Sequence, residues 1–173
     1  MEHELWLDHE PSFEEVIKSV DWSKKYKQFV FCGYGEPLLR VEMVIEIAKY
    51  IRSKYPQSNP NSPKIRIDTN GHANIFHGRN ILPELKGLID IISISLNAEE
   101  ATTYDSICNS FFGVAAHAAV IDFIKEAKNY IPQVEASVVD LPKAVDIEKA
   151  RKIAEEIGVS FRVRPYYEDK YKK

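Results

Sequence analysis

The sequence has little cysteine, no excess of basic residues and no long apolar run. Its two cysteines, Cys32 and Cys108, lie far apart, which excludes a disulfide-rich secreted scaffold and favours a reducing, cytoplasmic setting. A formal net charge of -3 with scattered Lys and Arg leaves no basic surface for nucleic acid. No stretch approaches the roughly 20 apolar residues of a membrane span, and the acidic N-terminus lacks the apolar core of a signal peptide. No membrane partner is therefore expected.

The remaining composition is that of an ordinary globular protein. Hydrophobic residues make up 45% and charged residues 28% of the chain. The 173 residues, 1–173, fit a single domain. A chain of this length buries about 70% of the surface that its unfolded form exposes, so a sizeable core is expected.

Strand and helix patterns alternate along the chain. Short apolar or alternating segments predict strands at 28–32, 64–68, 90–96, 133–139 and 159–164. Apolar spacing and cap residues predict helices at 12–20, 38–55, 99–108, 114–130 and 146–157, with a capping box at Ser12, an N-cap at Asp146 and a helix end at Gly158. The connection 69–87 is predicted to hold one short helix. Such alternation favours parallel strands joined by right-handed crossovers. An open doubly wound sheet and a piece of a (β/α) barrel both fit, and the pattern alone favours neither.

Three predicted strands end in small polar clusters. These clusters are Gly33-Tyr34-Gly35-Glu36, Asp68-Thr69-Asn70-Gly71, and the group Ser93, Ser95 and Asn97. Taken singly, each has an ordinary reading as a turn or as a local hydrogen-bonding group. Parallel strands, however, present their carboxyl ends at one rim, where α/β proteins bind ligands. The convergence of the three clusters therefore predicts a binding site.

The stretch FVFCGYGEPLLR carries the strongest local signal. Its glycine turn indicates close approach of a ligand to the backbone, and Glu36 indicates a ligand with a cation or N–H donors. The dinucleotide fingerprint fails because Leu38 stands where its third glycine should be, and no Gly-Lys-Ser/Thr follows to make a phosphate loop. The strand pattern makes Cys32 a small core residue.

No histidine metal site is expected. The five histidines have no HExxH spacing, and His72 and His77 are five residues apart in a predicted loop. Histidines without ligand spacing are interpreted as structural.

The motifs together resemble the radical S-adenosylmethionine (SAM) superfamily. CGYGEP resembles the glycine–glycine–glutamate–proline motif that follows the second barrel strand of that family, DTNG its third-strand ending, and SISLNA its fourth-strand ribose motif. ELWLDHEPSFEEV, TNGHANIFHGRN, DFIKEAK and GVSFRVR resemble one subgroup, encoded beside or fused to TatD-type deoxyribonucleases. The resemblance covers nearly the whole chain and implies a partial (β/α) barrel with a parallel sheet. It also implies a functional link to a TatD-type nuclease.

The resemblance assigns SAM-binding roles to particular residues. Gly33, Tyr34, Gly35 and Glu36 would hold the methionine amino group, with Tyr34 stacking on or shielding the ligand. Thr69 and Asn70 would lie near the ligand, and Ser95 and Asn97 would bond the ribose hydroxyls or the methionine carboxylate. Arg164 and, more weakly, Arg162 are candidates for the adenine or carboxylate side. No catalytic residue is assigned.

One family element is absent from this sequence. The family holds a [4Fe–4S] cluster in a C-x3-C-x2-C loop, and the two cysteines here do not form one. The resemblance therefore implies an N-terminally truncated core without its first strand and cluster loop, which is a fragment, a wrongly assigned start or a shortened gene. No cluster is expected in this chain, and its unpaired sheet edge would favour dimerisation.

Three functions remain open at this point. The first is a fragment of a radical SAM enzyme, which when intact cleaves SAM reductively and abstracts a hydrogen atom from a small-molecule or macromolecular substrate; the fragment itself would be inactive. The second is a non-catalytic module that binds SAM or a nucleotide. The third is a partner domain that uses an open sheet edge.

Overall fold

The computed structural model of the protein describes residues 8–166. In this range, five strands form one sheet in the order β1-β2-β3-β4-β5, and every neighbouring pair is parallel. The strands are β1 (Gln28–Phe31), β2 (Lys64–Thr69), β3 (Ile91–Ser95), β4 (Gln133–Asp140) and β5 (Ser160–Pro165). The helices are α1 (Phe13–Ser19), α2 (Val41–Lys54), α3 (Ala73–His77), α4 (Leu82–Leu85), α5 (Ala101–Cys108), α6 (Ala115–Ala127) and α7 (Ile147–Ile157).

The strand order decides between the two architectures. A doubly wound sheet reverses its strand order at a switch point, whereas here each strand pairs with its successor. Right-handed crossovers between successive neighbours place the connecting helices on one face. The sheet is therefore a partial (β/α) barrel that does not close, which confirms the predicted fold class.

The two faces of the sheet differ in chemistry. Ile65 and Ile67 of β2 and Ile92 and Ile94 of β3 are fully buried in the core. Their neighbours point the other way because side chains alternate along a strand. On that opposite face, Glu135 accepts hydrogen bonds from Ser93 Oγ at 2.8 Å and Arg66 Nη2 at 2.9 Å. This face, which lies opposite the connecting helices and is called here the helix-free face, is therefore polar and can hydrogen-bond a ligand.

Local cap residues account for several helix ends. Ser12 and Glu15 form a capping box at α1, in which each side chain accepts a hydrogen bond from the other residue's backbone N–H. Asp146 accepts a hydrogen bond from Lys149 N at the start of α7. Gly158 ends α7 in the left-handed conformation. These three predictions are confirmed.

Some boundaries differ from the sequence pattern. The segment predicted as one helix over 38–55 begins as a 3-10 helix, Pro37–Arg40, and continues as α2. Arg40, with φ -112° and ψ 53°, interrupts the helical backbone between the two. The connection after β2 holds α3 and α4, where one short helix was predicted. Residues 4–7, which begin the segment ELWLDHEPSFEEV, lie outside the described range.

Within residues 8–166, no helix is both long and apolar enough to cross a bilayer.

Candidate ligand-binding site at the carboxyl edge of the sheet

The predicted site residues meet at the carboxyl edge of the sheet. A hollow of about 270 Å³, called here the edge hollow, lies between the ends of β1, β2, β3 and β5. It is lined by Cys32, Gly33, Tyr34, Gly35, Glu36, Asp68, Thr69, Asn70, Ser95 and Arg164. Every residue to which the resemblance assigns a SAM-binding role lines it, except Asn97 and the weaker candidate Arg162. An adjoining hollow of about 700 Å³ shares the glycine turn and extends towards His9 and Arg40.

The glycine turn leaves open space beside its backbone. A Cβ atom added to Gly33 or Gly35 would have no heavy atom within 4 Å apart from its chain neighbours. Packing therefore does not require glycine at either position, whereas the backbone φ of +155° does favour glycine at Gly33. The turn leaves its backbone accessible from the edge hollow, where a ligand can approach closely.

Glu36 connects the glycine turn to the end of β2. Its Oε1 accepts hydrogen bonds from Leu38 N at 3.0 Å and Thr69 Oγ1 at 2.7 Å, and its Oε2 accepts one from Asn70 N at 2.7 Å. Burial raises the pKa of the Glu36 carboxyl, and these three hydrogen bonds oppose that shift. A carboxylate oxygen can accept two hydrogen bonds. Oε2 therefore keeps one acceptor position for a further donor.

The turn after β2 is held by its own polar groups. Thr69 Oγ1 accepts a hydrogen bond from Gly71 N at 3.1 Å, and Asn70 Oδ1 accepts one from His72 N at 2.9 Å. Gly71 has φ +81°, and a Cβ there would lie 2.8 Å from Ile94 Cγ2. The close approach of this turn to β3 sets the position of Asn70 at the rim.

Arg164 reaches the edge hollow from the far side. Its Nη2 donates to Ser95 Oγ at 3.3 Å and Asn97 Oδ1 at 3.2 Å. Its Nε is buried and has no hydrogen-bond partner among the described residues. Burial lowers the pKa of the Arg164 guanidinium, while the nearby charge of Asp68 opposes that shift. The orphaned Nε is an unsatisfied donor on a residue that lines the hollow.

Asn97 and Arg162 lie beside the edge hollow without lining it. Asn97 accepts a hydrogen bond from Arg164, and Arg164 is the residue that lines the hollow. Arg162 lies on the helix-free face, 3.7 Å from Glu135 Oε1. The structure therefore brings Arg164 into the site and leaves Arg162 outside it.

Cys32 is not the core residue that its sequence context predicts. β1 ends at Phe31, and Cys32 is exposed at the rim. It directly follows β1, an edge strand that has only one neighbour among the described residues to cover it. Although the residue is exposed, its sulfur is partly buried, and this partial burial and the charge of Asp68 raise the pKa of the Cys32 thiol. The sequence signal for this placement is its position directly before the glycine turn.

No metal centre forms within residues 8–166, where no group of three or more His, Cys, Asp or Glu side chains could hold an ion. The interior histidines have protein partners instead: His72 Nε2 contacts Tyr104 Oη, His77 Nε2 contacts Leu38 O and His117 Nε2 contacts Ala98 O. The described residues therefore do not fit a [4Fe–4S] cluster.

Comparisons with known proteins identify the family. A search of curated proteins returned no match. Among solved structures, the chain is similar to a radical SAM methyltransferase from Sphaerobacter thermophilus, with 12% sequence identity and a TM-score of 0.48. That match covers 88% of this chain and 56% of the methyltransferase. The family profile described as the radical SAM superfamily matches residues 3–157, and the chain belongs to that superfamily.

Proposed function

We propose that this chain forms the SAM-binding part of a radical SAM enzyme. The observation that carries the proposal is the convergence of the family-like motifs on one hollow: the glycine turn, the end of β2, Ser95 and Arg164 all line it. SAM presents an ammonium and a carboxylate at one end and ribose hydroxyls in the middle. The hollow supplies acceptors, donors and a guanidinium for these groups.

The residues of the edge hollow fit the ionic groups of SAM. Oε2 of Glu36 can accept one further hydrogen bond from an ammonium. The buried Nε of Arg164 can donate to a carboxylate or an adenine nitrogen. In the radical SAM family, bound SAM supplies hydrogen-abstraction chemistry after its reductive cleavage. The part of this chain is to bind and orient SAM and to exclude water from it.

The cluster needs ligands beyond those in this sequence. Three cysteine thiolates hold the cluster of the family, and the sequence has two cysteines. We propose that this core works with a cluster-binding segment outside the given sequence, in the subgroup associated with TatD-type nucleases. The alternatives are a module that binds SAM or a nucleotide without catalysis and a partner domain that associates through a sheet edge.

Calorimetric titration with SAM tests the binding proposal. The wild-type chain is compared with Arg164→Ala and with Arg151→Ala, an arginine on α7 that stacks on Phe161 away from the hollow. A charge-assisted hydrogen bond contributes about 1.5–3 kcal/mol, so Arg164→Ala should weaken SAM binding about 10- to 150-fold. Arg151→Ala should leave it unchanged. Absence of SAM binding to the wild type, or equal weakening by both variants, would refute the proposal.

Anaerobic reconstitution with iron and sulfide tests the cluster proposal. The expected result is no visible absorption of a [4Fe–4S] cluster, because Cys32 and Cys108 are the only thiols in the sequence. A stoichiometric four-iron signal would show that this chain assembles a cluster by itself and would contradict the need for an outside segment.

A further inference from the structure

Another cavity, larger than the edge hollow and its adjoining hollow, lies next to the edge hollow. It has a volume of about 850 Å³ and is bounded by the 3-10 helix, α3, α5 and the segment between α5 and α6. Four aromatic side chains form much of its wall, namely Phe76, Tyr104, Phe111 and Phe112. We call it the aromatic cavity. Its size is within the range of cavities that bind small molecules.

The walls of the aromatic cavity carry no formal charge. Among the described residues, no Asp, Glu, Lys or Arg side chain lines it. A charged ligand would lose its hydration there without gaining an ion partner, which costs much free energy. The aromatic walls instead favour a flat apolar ring, which stacks edge-on or offset against them.

Neutral polar groups lie among the aromatic side chains. Tyr104 Oη and His72 Nε2 are 2.9 Å apart, and Asn97 Nδ2 donates to Cys108 Sγ at 3.4 Å. Burial lowers the pKa of His72 and raises the pKa of Tyr104, so both side chains are neutral at neutral pH. These groups can hydrogen-bond a polar substituent on a ring without placing a charge beside it.

The aromatic cavity shares a boundary with the edge hollow. Asn70 lines both spaces. Asn97, in the wall of the cavity, accepts a hydrogen bond from Arg164, which lines the hollow. A molecule in the cavity would therefore lie beside whatever occupies the edge hollow.

We propose that the aromatic cavity binds the substrate, and that this substrate is an uncharged molecule carrying an aromatic ring. The assignment of substrate rests on the proposed SAM-binding function, whereas the assignment of ligand chemistry rests on the cavity alone. Phe111 lies at the rim of the cavity, 98% exposed and in edge-to-face contact with Phe112, so its ring can contact a ligand and contributes little to the folded core.

Titration with 2-naphthamide and 2-naphthoate tests the ligand chemistry. The two probes have nearly the same shape and differ by one negative charge. By calorimetry on the full 173-residue chain, we expect 2-naphthamide to bind and 2-naphthoate to bind at least about tenfold more weakly. Failure of 2-naphthamide to bind, or equal binding of the two probes, would overturn the proposal.

Two matched variants locate the binding. Phe111→Ala removes an exposed aromatic ring from the cavity rim, and Tyr166→Ala removes a 52% exposed ring that does not line the cavity. Loss of an aromatic contact should weaken 2-naphthamide binding about 2- to 12-fold in Phe111→Ala. Tyr166→Ala should leave the affinity unchanged. Unchanged affinity in Phe111→Ala would place the probe elsewhere and overturn the proposal.

A SAM titration of the same preparation separates the two proposals. If SAM binds and 2-naphthamide does not, the cavity proposal fails and the proposed function stands. If 2-naphthamide binds with the expected charge and variant dependence but SAM does not, the cavity is confirmed as a ligand site and the proposed function fails.

Discussion

Glu36 shows how one side chain can serve both the fold and a ligand site. Its carboxylate caps the 3-10 helix through Leu38 N and fastens the end of β2 through Thr69 and Asn70. The sequence favoured a ligand role, and the structure adds the contacts with Thr69 and Asn70. The two roles are compatible because Oε2 keeps an acceptor position.

Glu36→Gln should reduce both stability and SAM affinity. The glutamine amide presents a donor where the carboxylate accepted, so at least one of the three hydrogen bonds is lost. We expect the free energy of unfolding to fall by about 1–3 kcal/mol and SAM binding to weaken by about tenfold or more. Thermal melts and SAM titrations of the same samples measure the two effects.

The exposed Glu46 of α2 provides the control for that substitution. Glu46→Gln makes the same chemical change away from the edge hollow and should leave both quantities unchanged. If Glu36→Gln lowers stability alone, Glu36 is only a cap and does not bind SAM.

Asp90 is a buried carboxylate at the opposite, amino end of the strands. It accepts hydrogen bonds from Ile65 N at 2.7 Å and Gln57 Nε2 at 2.9 Å, and it pairs with Arg52 of α2. Burial raises the pKa of Asp90, but the hydrogen bonds and the arginine outweigh burial, so its pKa lies below the ordinary value of 3.8. The ionised carboxylate therefore stabilises the fold.

Asp90→Asn should destabilise the protein and change its acid sensitivity. Leaving the Arg52 charge unpaired should cost about 3–5 kcal/mol in free energy of unfolding. A depressed carboxyl pKa contributes stability above the unfolded-state value, and that stability is lost as pH falls through the folded-state pKa. Denaturant unfolding from pH 7 to pH 2 should show this acid-dependent loss in the wild type and a smaller one in Asp90→Asn. Equal acid dependence in both proteins would contradict the pairing.

At the scale of elements, the turn after β2 depends on a close contact at Gly71. Its positive φ is unfavourable for other residues, and a Cβ would lie 2.8 Å from the buried Ile94 side chain. Gly71→Ala should therefore destabilise the protein by the conformational cost of about 1–2 kcal/mol and an overpacking cost of about 1–3 kcal/mol. It should also displace Asn70 from the rim and weaken SAM binding.

Gly87 separates these two costs. It has φ +77°, close to that of Gly71, but an added Cβ there would meet nothing within 4 Å. Gly87→Ala should show the conformational cost alone and leave SAM binding unchanged. Denaturant midpoints of the two alanine variants give the comparison, and equal destabilisation would mean that the contact with Ile94 relaxes without cost.

At the scale of the whole molecule, the sheet has two edges and a polar face. Among residues 8–166, β1 and β5 each pair on one side only, whereas β3 pairs on both sides and carries the fully buried Ile92 and Ile94. Amide hydrogen exchange should therefore be slowest in β3 and faster in β1 and β5. Mass spectrometry of exchanged peptides measures the order. Protection of β1 equal to that of β3 would indicate that another chain covers this edge, as in an edge-to-edge dimer.

Much of this architecture follows from local sequence. Apolar periodicity and cap residues are local, so they predicted the strands, the capping box at Ser12 and the end of α7 at Gly158. The meeting of the polar clusters at one edge of the sheet was also predictable, because parallel strands bring the segments at their carboxyl ends to one rim whatever the details of packing.

The tertiary structure decided what depends on contacts between distant segments. Strand order separates a partial barrel from a doubly wound sheet, and no local pattern encodes which strands become neighbours. The exposure of Cys32 follows from its place at the end of an edge strand, and the bonds of Glu36 to Thr69 and Asn70 follow from the approach of β2. The aromatic cavity joins residues from Leu39 to Phe112 that have no common sequence pattern, because a cavity is defined only by the side chains that packing brings around it.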